Sequence, residues 1–173
     1  MQLMRNKMSK TKRRKNGIRR RFSFTGINTV DDILIGNHGN ASLIAKGHFN
    51  LSGILYLLEG KAEFTVDGSG QIAFIGKCKH LVIKRADGDC ILDFSEVKCD
   101  LVTCVLMKGQ ITMLVGDTRR IDIVEMNEEA TLKINSSPLV TAHCLDQNAR
   151  IICSQSVTPP VVVQAPKSIR SIL

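Results

Sequence analysis

The sequence has few aromatic and proline residues and no long apolar run. Trp is absent, Tyr occurs once, and aromatic residues make up 4% of the 173 residues. Pro occurs four times, and three of the four follow residue 158. No stretch reaches the 18 or so apolar residues that a transmembrane helix needs, so no membrane-spanning helix is predicted. The shortage of aromatic rings argues against a sugar-binding groove.

Motifs that carry catalytic chemistry are also missing. The chain contains no Gly-x-Ser-x-Gly, no P-loop and no dinucleotide fingerprint. We therefore predict no catalytic residue, no cofactor and no enzyme activity. The nearest carboxylate cluster for polysaccharide cleavage is Asp87, Asp89 and Asp93. Asp87 and Asp89 flank Gly88 and are better explained as corner residues.

No metal site is predicted. Neither a Cys-x-x-Cys pair nor a His-x-His pair occurs, and His38 and His48 are ten residues apart. Cys144 beside His143 supplies two ligands, but structural zinc sites use four. The six cysteines are too few for a disulfide scaffold. We expect reduced thiols and a cytoplasmic location.

The positive charge is concentrated at the N-terminus. Residues 1–21 hold ten of the 24 basic residues and no acid, which leaves 14 basic against 16 acidic residues in the rest of the chain. We predict a basic, flexible arm over residues 1–24, because such a run repels itself and cannot be buried. Its predicted contacts with a polyanion, either nucleic acid or an anionic membrane surface, are Lys10, Lys12, Arg13, Arg14, Lys15, Arg19, Arg20 and Arg21.

The arm is open to two other interpretations. The run Arg19-Arg20-Arg21-Phe22 is similar to a twin-arginine export signal, but polar residues follow where such a signal needs an apolar stretch. A basic segment without acids is also typical of an organelle transit peptide. Both interpretations make the arm a leader and not an anchor.

The body repeats with a period of about 20 residues, which is typical of solenoid architectures. One apolar series is Phe74, Leu92, Met113, Ile134 and Cys153, and a parallel series two residues earlier is Ile72, Cys90, Ile111, Leu132 and Ile151. A second strand in each unit begins at Leu81, Leu101, Ile121 and Leu139. Two strands per repeat of this length predict stacked β-rungs whose inward side chains form columns.

Turn residues recur between the units, among them Asp67-Gly68-Ser69-Gly70 and Asp87-Gly88-Asp89. Gly supplies the positive φ that tight corners need. We predict an all-β protein, a β-solenoid of stacked rungs, with the solenoid domain over residues 25–153 and an extended Pro-containing tail over 154–173. The alternative is a β-sandwich or jelly roll, in which residues one repeat apart have no reason to share a column.

The repeat resembles the auto-transporter adhesin, head GIN domain family over about half the chain. That family has Gly-Ser-Gly-Asp corners, partly kept here in Gly68-Ser69-Gly70, and a turn similar to Gly76-Lys77-Cys78-Lys79-His80-Leu81. The resemblance implies a right-handed parallel β-helix, an adhesive role and export.

Two functions follow as expectations. The first is a non-enzymatic structural protein that self-associates into an oligomer or filament through the open ends of the solenoid. The second is a nucleic-acid-coating protein, such as a small viral capsid subunit with a basic arm and a β jelly roll.

Overall fold

The computed structural model describes residues 19–36, 39–154 and 163–164, and every regular element in them is a β-strand. The strands are β1 (Arg19–Gly36), β2 (Asn40–Val115), β3 (Thr118–Met126), β4 (Thr131–Ile134), β5 (Leu139–Leu145), β6 (Arg150–Cys153) and β7 (Val163–Gln164). No membrane-spanning helix is present among these residues.

All pairings between these strands are parallel, and partners lie about one repeat apart. Arg19 pairs with Asn40, Leu101 with Arg120 and Thr131 with Arg150, at sequence offsets of 21, 19 and 19. The chain therefore winds into stacked coils, and the predicted β-solenoid is confirmed. β2 is 76 residues long because it bends around several turns of the coil without a break in its strand conformation.

One corner of the solenoid is a column of glycines with positive φ. Its members are Gly26, Gly47, Gly68, Gly88 and Gly109. From Gly47 onwards, a Cβ on each would lie 2.0–2.6 Å from the carbonyl oxygen of the glycine one turn before. Glycine is required here because the coils approach too closely for a side chain. Glu128, with φ 58°, follows Gly109 one turn later.

The core lies inside the coil and consists of aliphatic, Phe, Cys and Met side chains. Phe49, Phe64, Phe74 and Phe94 are among the largest fully buried residues. The rings of Phe74 and Phe94 contact Phe64 edge-on, with centroids 5.6 and 5.0 Å away. These contacts join the two faces of the flattened coil across its interior.

The register of the columns differs from the predicted series. Met113 pairs with Leu132, which in turn pairs with Ile151 on the next turn. Ile134 instead pairs with Val115 on the turn before it and with Cys153 on the turn after it. The predicted series therefore slipped by two residues, which keeps the same side inward because side chains alternate. The predicted second-strand series mixed two columns. Leu101 pairs with Arg120, and Arg120 pairs with Leu139 one turn later. Leu139 is 54% exposed, and Ile121 belongs to the inward column with Val102 and Val140.

Strands are present on both sides of the predicted domain limits. β1 begins at Arg19, inside the segment 1–24 assigned to the arm, because Phe22 and Phe24 pack against the core. The tail is not wholly outside the ladder: Val163 and Gln164, between the prolines, pair with Thr141 and Ala142 of β5.

Candidate interaction surfaces

Two of the carboxylates considered for catalysis, Asp87 and Asp93, each accept hydrogen bonds from a residue two positions away. Asp87 accepts a hydrogen bond from Arg85 at 2.6 Å, and Asp93 accepts two from the backbone N–H and hydroxyl of Ser95. Each bond joins residues two apart on one rung. These contacts shape the corners and edges of the coil, and they do not hold two carboxylates on either side of a substrate.

The residues considered for metal binding are not gathered into a site. Within the described part of the chain, no group of three or more His, Cys, Asp or Glu side chains is placed to hold a metal ion. Cys144 is exposed, and His38 lies outside the described residues. His80 instead contacts Thr103, with Nε2 2.9 Å from Oγ1.

Most of the cysteines belong to the core. Burial raises the pKa of Cys90 and of Cys104 to about 12, so both thiols stay protonated at neutral pH. Cys104 also contacts the Sδ of Met113 at 3.8 Å. Cys78 and Cys99 lie on adjacent turns, and the hydrogen bond between their thiols raises the pKa of Cys78 and lowers that of Cys99.

A buried carboxylate anchors one outer face of the solenoid. Glu63 is 3% exposed, and its two oxygens lie 2.8 Å from Lys61 Nζ and 3.0 Å from Lys84 Nζ. Burial by itself raises the pKa of Glu63, but the hydrogen bonds and charges of the two lysines outweigh it, so the pKa is lowered. Glu63 thereby links a lysine on its own rung to one on the next.

A shallow cleft of mixed charge lies at a corner of the coil, near Glu59, Lys61, His80 and Asp100. Burial and the charge of Lys61 lower the pKa of His80, so the ring is neutral at pH 7. The residues that line this cleft include no serine, threonine or cysteine.

The predicted polyanion contacts divide between two parts of the chain. Lys10, Lys12, Arg13, Arg14 and Lys15 lie outside the described residues, whereas Arg19, Arg20 and Arg21 open β1. Arg20 pairs with Ala41, which is 3% exposed, yet Arg20 itself is exposed because it stands on the first described rung. A charged residue therefore occupies an inward register position at this edge.

Sequence reasoning missed how apolar the two end rungs are. At the N-terminal end, Phe22, Phe24 and Val30 point inward but are only partly buried. At the C-terminal end, the same is true of Leu145, Ala149, Ile151 and Cys153. The missing signal is the stacking order, which determines whether an apolar residue has a neighbour on both sides. At the N-terminal end, the polar Arg20 and Asn28 share the inward register with these apolar residues, since they pair with the buried Ala41 and Phe49.

Comparison of the chain with protein-family models, with curated proteins and with solved structures finds no match.

Proposed function

We propose that this chain is a non-enzymatic structural protein, an adhesin-like β-solenoid that self-associates through its ends. The observation that carries the proposal is the pair of end rungs, each with inward apolar side chains that are only partly buried. Stacking a second copy on either end would bury these side chains as the interior rungs bury theirs. The resemblance to an adhesin domain family supports the same class of function.

The backbone at the two ends supports this proposal. Among the described residues, β1 pairs only with β2, β6 pairs only with β4, and β5 receives two residues of β7 on its outer side. Unpaired strand edges are templates for pairing with another chain. A contact between the N-terminal end of one copy and the C-terminal end of the next is heterologous, and it produces a filament if the rotation does not close a ring.

The basic N-terminal segment is proposed to contact an anionic partner. Its ten cations in 21 residues face no acid in the same segment. Arg20 and Arg21 are exposed at the N-terminal end of the solenoid. The segment is thus joined to a folded edge, and an assembled filament would present one such segment per copy. Multiple weak phosphate contacts would then act together.

The end-to-end contact is tested with two substitutions on the last rung. Ile151→Glu places a charge on an inward side chain at the open end, and Ile152→Glu places the same charge on the outward neighbour, which is 43% exposed and paired with Lys133. In sedimentation and negative-stain microscopy, Ile151→Glu is expected to abolish assembly while Ile152→Glu retains it. Equal assembly by both variants, or a monomeric parent protein, would contradict the proposal.

The basic segment is tested by a salt titration. If about five cations contact phosphates, log K for duplex DNA falls with log salt at a slope of about −4 to −5. Removing residues 1–18 is expected to abolish binding to DNA and to anionic vesicles, with the melting temperature unchanged. Comparing the two polyanions at the same salt shows which is preferred. Absence of binding to both at low salt would refute the anionic partner.

The nucleic-acid-coating alternative expects a jelly roll, whereas the described residues form a parallel solenoid. No further observation favours it. Tight DNA binding with no binding to vesicles would restore nucleic acid as the partner.

A further inference from the structure

An apolar column lies on the outside of the solenoid, along the face formed by β1 and the first half of β2. Leu34, Ile54 and Ile75 are 64%, 47% and 48% exposed. Leu34 pairs directly with Ile54. Gly76 lies over the carbonyl of Leu55, which places Ile75 over Ile54 on the next turn. Three large aliphatic side chains therefore form one continuous stripe on solvent.

The stripe continues sideways at its middle rung. Tyr56 and Leu58, two and four residues after Ile54, are each 52% exposed. Residues two apart on a strand share a face, so Tyr56 extends the stripe on the same sheet. A monomer seldom exposes a contiguous apolar patch beyond about 300–600 Å², and patches of that size are often interaction sites.

One flank of the column, two residues before it on each rung, is small and acidic. On the first rung a bulge places both Asp31 and Asp32 opposite Ser52, whose hydroxyl donates to Asp31 Oδ1 at 2.8 Å. Gly70 over Phe49 sets the register of the next turn and puts Ala73 over Ser52. Gly88 over Gly68 then puts Asp93 over Ala73.

The other flank, two residues after the column, becomes large and basic beyond the first rung. It begins with the small Gly36, which pairs with Tyr56, and continues on the next turn with the exposed Lys77. Lys98 follows, because the neighbouring Cys78 and Cys99 are in contact one turn apart. Lys98 Nζ also lies 2.6 Å from Asp117 in an exposed pair. The face is thus asymmetric about its apolar column in both size and charge.

We propose that this face is an interface between two copies of the chain, related by a two-fold axis that runs along the apolar column, parallel to the solenoid axis. Rotation about that axis lays each column on itself and each flank on the opposite flank of the partner. Tyr56 of one copy then meets the small Ser52 of the other, and Lys98 meets Asp93. A two-fold axis along the strands would instead set each flank against the same flank of the partner, with acid against acid.

The size of the face predicts a weak but specific dimer. The column and the two flanks cover four rungs at about 4.8 Å and roughly six residues at about 3.3 Å, or about 20 Å in each direction and about 400 Å² in all. This area is smaller than the roughly 600–800 Å² per partner of stable interfaces, so a dissociation constant in the micromolar range or weaker is expected. The contact is lateral, so it leaves both solenoid ends free and does not depend on end-to-end assembly.

Cysteine crosslinking tests the axis directly. In the full chain with Cys144→Ser, which removes the exposed native thiol, single cysteines replace residues on the axis, on either flank, or at a control position. Ile54→Cys lies on the axis and is expected to form a covalent dimer with a short bismaleimide. Ser52→Cys and Tyr56→Cys are each expected to fail alone and to crosslink when mixed. Ile91→Cys, at 44% exposure on the same face, is the control.

A non-covalent measurement accompanies the crosslinking. Ile54→Lys is expected to raise the dimer dissociation constant at least tenfold in sedimentation equilibrium, while Ile91→Lys leaves it within twofold. Crosslinking of Ile54→Cys no faster than Ile91→Cys, or an unchanged dimer in Ile54→Lys, would overturn the interface. Crosslinking of Tyr56→Cys with itself as fast as with Ser52→Cys would overturn the axis.

Discussion

The glycine column allows the closeness of the coils to be measured with two matched substitutions. Gly26 and Gly88 occupy the same corner on different turns, with φ of +89° and +117°. A Cβ on Gly26 meets nothing within 4 Å, whereas a Cβ on Gly88 would lie 2.1 Å from the carbonyl oxygen of Gly68. Ala at either position is strained by the backbone conformation, but only Gly88→Ala also forces two coils apart.

The expected sizes differ accordingly. Positive φ costs a non-glycine residue about 1–2 kcal/mol, which is the whole loss expected for Gly26→Ala. The clash adds about 1–3 kcal/mol of overpacking strain, so Gly88→Ala is expected to lose about 2–5 kcal/mol in the free energy of unfolding. At about 2–4 °C per kcal/mol, its melting temperature falls by about 4–20 °C.

Urea denaturation followed by circular dichroism measures both losses against the parent protein. The reasoning is refuted if the two variants lose the same stability within experimental error, because the stacking contact is the only large difference between them. It is also refuted if Gly26→Ala is the more damaging change.

Three further changes test the core and the buried charge. Leu92→Asp buries an unpaired carboxylate in a fully enclosed column and is expected to cost several kcal/mol; a melting temperature within about two degrees of the parent would disprove the column. Native alkylation is expected to label the exposed Cys144 rapidly and Cys90 only after denaturation, and rapid labelling of Cys90 would show the register to be wrong. Because the pKa of Glu63 is lowered on folding, its stabilisation is complete above the unfolded value near 4.5 and is lost as pH falls through the folded value. Glu63→Gln should thus be less stable than the parent at pH 7, with the difference closing in denaturation curves as the pH falls below the unfolded value of 4.5; a constant difference would rule out the ionised carboxylate as its source.

The repeat itself could be predicted from the sequence because its signals lie between residues that are close together along the chain. Alternation of apolar and polar residues defines which side of each strand faces inward, and the corner glycines at Gly68 and Gly88 mark where the chain turns. These signals need only neighbours along the chain. They were sufficient for the parallel solenoid and for the inward position of Leu92 and Ile134, both fully buried.

The exact stacking was decided only by the tertiary structure, for a physical reason. Successive turns differ by one or two residues in length, as the offsets of 21 and 19 show. A slip of two residues leaves an apolar side chain facing inward, so composition alone cannot distinguish Met113 over Leu132 from Met113 over Ile134. Backbone hydrogen bonds and corner lengths select one register for the whole stack.

The same limit applies to the surfaces. The basic segment is visible in the sequence because its ten charges are close together along the chain. The outward column of Leu34, Ile54 and Ile75 is not, since its members are separated by whole turns of the coil and each looks like an ordinary strand residue. The sequence by itself determined that a basic N-terminal segment precedes a stack of β-rungs. Tertiary structure alone decided which side chains are neighbours across rungs, because a surface in a solenoid is built from residues that only the winding brings together.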